Sequence, residues 1–197
     1  LVGSEMCIRD RMVAPLEAAL EAGIKIITVD TFLGDGDYVN GPVTFPLSYI
    51  GSNNVEGGRI AGEFLAERVG FEGKVYVQNT NPGVSTTEQR GEGFIEAIEQ
   101  YPDMELVGMD YNLDDANLSA EQTAAVLQRE EELVGIFGVN VFSAIGAGNA
   151  VNNAGLSGVV DVIAFDATQF AIEQLREGTV SLVIAQKPYD MGYLACL

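Results

Sequence analysis

The sequence predicts an α/β protein with a parallel sheet covered by helices on both faces. Three observations carry this. Apolar runs of strand character alternate with amphipathic stretches of helical period along the chain. The runs are continuously apolar rather than alternating, as strands buried on both faces are. Nearly every run then stops at a polar residue: Asp30, Ser52, Asn79, Asp110, Asn140, Asp166 and Gln186. Parallel strands place such ends along one edge, where open α/β sheets bind ligands.

Taken in order, Pro15 to Ala22 reads as a helix stopped by Gly23. Lys25 to Val29 (KIITV) is a buried-type strand ending in Asp30-Thr31. Residues 32–46 form a long loop. Asp35 and Asp37 faintly suggest a calcium loop there, but Val39 and the lack of a following glutamate break the pattern. Leu47 to Ile50 is a short strand, and Val55 to Val69 a helix whose Gly58, Ala61 and Gly62 suit close packing on a sheet. The strand from Lys74 ends at Gln78-Asn79, and a helix opens at Ser85, with Ser85 and Glu88 spaced as a capping box. Glu105 to Met109 is a strand ending in Asp110. Ser119 and Gln122 form a second box at the head of a helix running to about Arg129. Leu133 to Val139, Val159 to Phe165 and Val180 to Ala185 are strands. Phe142 to Asn153 and Thr168 to Arg176 are the helices between them.

Composition excludes much chemistry. The 197 residues are 47% hydrophobic and 20% charged, as in a globular protein with a sizeable core. No apolar run approaches the roughly 18 residues that span a bilayer. The net charge of −19 repels phosphate backbones, so nucleic-acid binding by this region is not expected. There is no histidine, and only Cys7 and Cys196 carry thiols. Histidine acid–base catalysis and His-containing zinc sites are therefore excluded, and no cofactor or metal is implied. Gly146-Ala147-Gly148 lies inside a helical pattern and is a poor dinucleotide fingerprint. Asp30 and Asp166 as a glycosidase pair rank low.

The strand ends and Arg90 form the candidate site. The stretch KVYVQNTNPGVSTTEQRGEGF alone, a strand, a loop and a cation near a helix start, fits a phosphate equally well. The full set, rich in carboxylates and amides with one cation, suits a neutral polyhydroxyl ligand. For any one position, helix capping competes with ligand contact, and Asn79 and Asp110 are the ones most readily explained structurally. Arg90 also has Glu88 and Glu92 near it as surface ion-pair partners. Phe32, Phe45 and Phe142 offer flat faces but read first as packing.

The segments GIKIITVD, YIGSNNVEGGRIAGEFLAE, QRGEGFIEAI, GIFGVN, VIAFDAT and IAQKPYDMGYLA, in this order from about Val13 to Ala195, resemble the ribose-type periplasmic sugar-binding proteins of bacterial ABC importers. The resemblance implies the two-lobed type I periplasmic-binding-protein fold, with parallel sheets flanked by helices and the N-lobe incomplete. Residues 1–11 read as a translated adapter sequence, residues 12–52 as the end of the N-lobe, residues 53–186 as the C-lobe, and residues 187–197 as a return segment. Carried over by motif, Asp30, Arg90, Asn140, Asp166 and Gln186 are the ligand-binding residues, and Ser52, Asn81 and Thr31 are secondary candidates. Thr31 departs from the arginine that ribose binders place there, which leaves the sugar open.

The resemblance further implies an extracytoplasmic, monomeric receptor that closes about a hinge on a monosaccharide or polyol and delivers it to an ABC permease. Its membrane association would run only through that permease, and it would not be an enzyme. The alternative is the effector-binding domain of a LacI-type transcription regulator. Against it, Arg68-Val69-Gly70-Phe71 lacks the Gly-His step those regulators commonly carry. Asp166→Ala and Arg90→Ala are each expected to weaken binding with the fold intact.

Overall fold

The computed structural model describes residues 8–197, and Cys7 lies outside them. The chain divides into two units: one ends at Ser52 and resumes over Lys187–Leu197, and the other is Asn53–Gln186. The chain thus passes from one unit to the other at Ser52-Asn53 and again at Gln186-Lys187.

The first unit opens with helix α1 (Ile8–Glu21), which carries Pro15 inside it and so begins earlier than the sequence suggests. Gly23, at φ 87°, turns the chain out of the helix. Strands β1 (Thr28–Val29) and β2 (Tyr49–Ile50) pair in parallel. Both are shorter than their apolar runs, because only two residue pairs share the ladder. The loop between them folds back on β1. The Tyr38 hydroxyl accepts from Leu33 N–H at 2.9 Å and lies 2.7 Å from Thr28 Oγ1. Ile26, Phe32, Leu33 and Val43 are buried in a small core, with Phe32 edge-on to Tyr49 at 5.5 Å. Asp37, half of the calcium-like pair, accepts from Asn40 and Val39 N–H, which hold its carboxyl below the usual range. The resemblance to a metal loop is thus an Asx-type turn.

The second unit is α2 (Asn54–Val69), β3 (Gly73–Asn79), α3 (Ser85–Ile98), β4 (Met104–Tyr111), α4 (Ala116–Arg129), β5 (Leu133–Gly138), α5 (Val141–Asn153), β6 (Asp161–Phe165), α6 (Gln169–Glu177) and β7 (Leu182–Ile184). All five strands are parallel, in the order β4-β3-β5-β6-β7. Side chains alternate between two cores. Val75, Val77, Phe137, Ile163 and Phe165 pack with α2 and α3, and Tyr76, Ile136, Val162 and Ala164 pack with α4 and α5. The chain starts inside the sheet, steps out to β4, and returns to β5 before moving the other way. The β3–β5 border is therefore the topological switch point. Helix α7 (Pro188–Ala195), with Pro188 in its first turn, closes the first unit against β1 and β2.

Two local readings are corrected. Neither capping box forms. Val84, with no side-chain hydrogen bond, precedes α3, and Ser85 already lies in the helix. Glu88 accepts instead from Gly83 N–H at 3.0 Å. Helix α4 starts earlier, capped by Asp115, and Ser119 inside it donates to the Ser143 carbonyl at 2.9 Å. The glycines of α2 serve helix against helix as much as helix against sheet. A Cβ at Gly58 would strike the Arg90 carbonyl oxygen, and one at Gly93 the Val55 carbonyl oxygen. Only glycine lets α2 and α3 approach backbone to backbone.

Candidate functional site

Arg90 stands at the switch point, and the close α2–α3 contact brings it there. It is 4% exposed, and a buried guanidinium requires partners. Nε donates to Asn54 Oδ1 at 2.9 Å, and Nη1 donates to the Val139 carbonyl, just past β5, at 2.9 Å. The guanidinium carbon lies 3.9 Å from the centre of the Phe165 ring, a cation–π contact. Nη1 also faces Asp166 Oδ2 at 4.0 Å. That separation gives charge attraction without a direct hydrogen bond. Glu88 does not pair with Arg90. It accepts from Tyr111, whose phenol is pushed up to about 12 by burial and then by that carboxylate. The expectation that Arg90→Ala leaves the fold intact therefore needs revision, because the side chain ties α2, α3 and β5 together.

Asp166 follows β6 with φ 77°, a left-handed conformation uncommon outside glycine. Its backbone N–H donates to the Ile184 carbonyl at 2.9 Å, and its Oδ1 accepts from Gln186 Nε2 at 2.6 Å. Arg90, Asp166 and Gln186 thus form one group at the C-terminal edge of the sheet. Asn140, just past β5, caps α5: its Oδ1 accepts from Ser143 N–H at 2.9 Å, and its Nδ2 donates to Asp114 at 2.6 Å. Asn81 lies in the loop after β3, where its carbonyl accepts from Val84 N–H at 3.3 Å. Asn79 and Asp110 are tied locally. Asn79 Oδ1 accepts from Thr80 N–H at 2.7 Å, and Asp110 accepts from the Tyr76 hydroxyl at 2.8 Å.

In the first unit, Asp30 follows β1 with φ 67°. Its N–H donates to the Ile50 carbonyl at 2.9 Å, and its carbonyl accepts from the Tyr49 hydroxyl at 2.8 Å. Its side chain is exposed. Thr31 donates its N–H to the Val29 carbonyl at 2.8 Å, and Ser52, half-buried, ends the unit.

Three contributors escape the sequence reading. Asn54 sits one position beyond Asn53, whose own side chain caps α2, and the adjacent pair hides which residue reaches Arg90. Phe165 points at Arg90 while the aromatic candidates lie elsewhere: Phe32 is buried in the other unit's core, Phe45 lies half-buried in the same unit, and Phe142 is exposed. The signal for Phe165 was its place one residue before Asp166, on the α2–α3 face of β6. Asp114 is the third.

Chemically, the edge offers a fixed cation, a carboxylate steadied by an amide, and a helix-capping asparagine. These are donors and acceptors for hydroxyl groups. Among the described residues no group of three or more side chains is placed to hold a metal ion.

Comparison with known proteins adds to this geometry. A family model described as the periplasmic binding protein domain matches residues 9–197. The chain is 31% identical over 178 residues to the ribose import binding protein RbsB of Salmonella typhimurium, covering 90% of this chain and 56% of that protein. It is similar to a crystal structure of an ABC transporter solute binding protein from Agrobacterium vitis bound with alpha-D-tagatopyranose. Identity there is 46% and the TM-score 0.87, over 93% of this chain and 62% of the other. A solute binding protein from Actinobacillus succinogenes with bound D-allose matches at 32% identity and TM-score 0.84, covering 93% and 65%. The chain spans about half the length of the curated relatives it matches.

Proposed function

This chain belongs to the periplasmic binding protein domain family, and from that premise we propose that it is part of an extracytoplasmic receptor for a neutral monosaccharide or similar polyol. The observation that carries the reading is the Arg90–Asp166–Gln186 group. Asp166 is held in a left-handed backbone and steadied by Gln186, with the Arg90 guanidinium 4.0 Å away. A ligand hydroxyl between them can donate to Asp166 and accept from Arg90 at once. Asn140 adds an amide, and Asp30 with Thr31 and Ser52 adds the first unit's acceptors. Asn81 lies at the same edge as Arg90. The Asp166 carboxylate facing the Arg90 guanidinium offsets its charge, which favours a neutral ligand over an anion.

The receptor binds without turnover and works as a monomer. Capture by hinge closure and delivery to an ABC permease complete the reading, and the two chain passages between units suit a hinge. The relatives named above are import and solute binding proteins, which favours this reading over a regulator's effector domain.

A thermal-shift screen of the intact receptor against neutral monosaccharides, polyols, sugar acids and amino acids tests it. At least one neutral sugar should raise the midpoint at micromolar concentration. Stabilisation by an amino acid with none by any sugar overturns the assignment.

A further inference from the structure

Five non-glycine positions among the described residues have φ above zero, and three are aspartates just past parallel strands: Asp30, Asp166 and Asp114. The first two belong to the site proposed above. Asp114 follows β4 beside Leu113, at φ 64° and 53°, so the chain makes two successive left-handed steps there. Such steps are unfavourable outside glycine and persist where surrounding contacts enforce them.

The enforcing contacts are fully buried amides. Asn112 is 0% exposed and has three side-chain bonds. Its Oδ1 accepts from Asp114 N–H at 3.0 Å, and its Nδ2 donates to Gln78 Oε1 at 2.9 Å and to Ser143 Oγ at 2.8 Å. Gln78, also 0% exposed, donates onward to the Tyr76 hydroxyl at 2.6 Å and to Gln122 at 3.2 Å. One network therefore fastens the ends of β3 and β4 to the first turn of α5. Both outputs of that network converge on Asn140: Ser143 N–H on its Oδ1, and Asp114 on its Nδ2 at 2.6 Å.

We infer that Asp114 is a positioning residue for Asn140, set in place by the Asn112–Gln78 network. With Oδ1 fixed by a backbone donor and Nδ2 by a carboxylate, the Asn140 amide has one orientation. It keeps one N–H and one lone pair in a fixed arrangement for a ligand hydroxyl. Without Asp114, only the Ser143 bond orients the amide. The role in ligand binding rests on the receptor reading, whereas the orienting contact stands in the unliganded protein.

The test compares Asp114→Ala and Asp114→Asn in the intact receptor. It uses the Asn140 side-chain NH2 resonances without ligand and calorimetric titration with D-allose, D-ribose and D-tagatose. Asp114→Ala should move the Asn140 proton signals and weaken the best sugar about tenfold, the scale of one charge-assisted hydrogen bond. Asp114→Asn, which still offers an oxygen, should recover most of the affinity. Unmoved Asn140 signals in Asp114→Ala, or equal affinity in Asp114→Ala and wild type, overturns the inference. So does a loss in Asp114→Asn as deep as in Asp114→Ala. If no sugar binds the wild type while the Asn140 signals still depend on Asp114, the receptor reading falls and the positioning contact is supported.

Discussion

Asp30 and Asp166 are the same backbone device built twice, once in each unit. Each follows a strand in the left-handed region, at φ 67° and 77°. Each donates its N–H at 2.9 Å to the carbonyl that ends the neighbouring parallel strand, Ile50 or Ile184. The difference lies in what surrounds the carboxylate. Asp166 is steadied by Gln186 and faced by a buried guanidinium, itself held by Asn54, Val139 and Phe165. Asp30 is anchored through its carbonyl by Tyr49, and its carboxylate is exposed. One carboxylate is preorganised and the other is held only through its backbone, and preorganised groups contribute more to binding because less ordering remains to be done.

The largest expected effect is therefore asymmetric. Asp166→Ala should weaken sugar binding about a hundredfold, the scale of losing a charge-assisted hydrogen bond of about 3 kcal/mol. Asp30→Ala should weaken it by about tenfold or less on the same scale. Calorimetry on both variants decides it, and equal losses would erase the distinction between the two units. Next comes Arg90→Ala, which leaves the Asn54 and Val139 oxygens without their donor and a gap over Phe165. It should lower unfolding free energy by roughly 3 kcal/mol as well as affinity, read by denaturant titration. Undiminished stability would mean that Arg90 is no part of the scaffold. The smallest effect is backbone strain. Glycine relieves a left-handed conformation but loosens the unfolded chain, so the terms nearly cancel at about 1 kcal/mol each. Asp30→Gly should then be near neutral in thermal unfolding. Asp166→Gly should be destabilising by about 1–2 kcal/mol, because it also removes the Gln186 contact. A destabilised Asp30→Gly would show that its side chain holds structure after all.

Much of this was legible in the residues. Apolar runs and their polar stops located the strands among the described residues, most sharply β3, β5 and β6, because a strand buried on both faces has no other composition open to it. Arg90, Asp166 and Gln186 were legible as strand-end or helix-start polar residues that the sheet order brings together. Other features depend on choices between neighbours that residue order does not settle. In Asp114-Asp115, the second aspartate caps α4 and the first turns back to Asn140. In Asn53-Asn54, the first caps α2 and the second holds Arg90. Ser85 and Glu88 have capping-box spacing, yet Glu88 reaches Gly83 rather than the residue its spacing indicates. β4 runs past its expected end to Tyr111, because Asp110 and Tyr111 go on pairing with Gln78 and Asn79 of β3. Helix α7 escaped notice although Pro188 marks its first turn.

A crystal structure of the intact receptor with its sugar tests the central claim most directly. The account predicts sugar oxygens within about 3.2 Å of both the Arg90 guanidinium and the Asp166 carboxylate, with Gln186 still on Asp166. A sugar bound with neither residue in contact would contradict it.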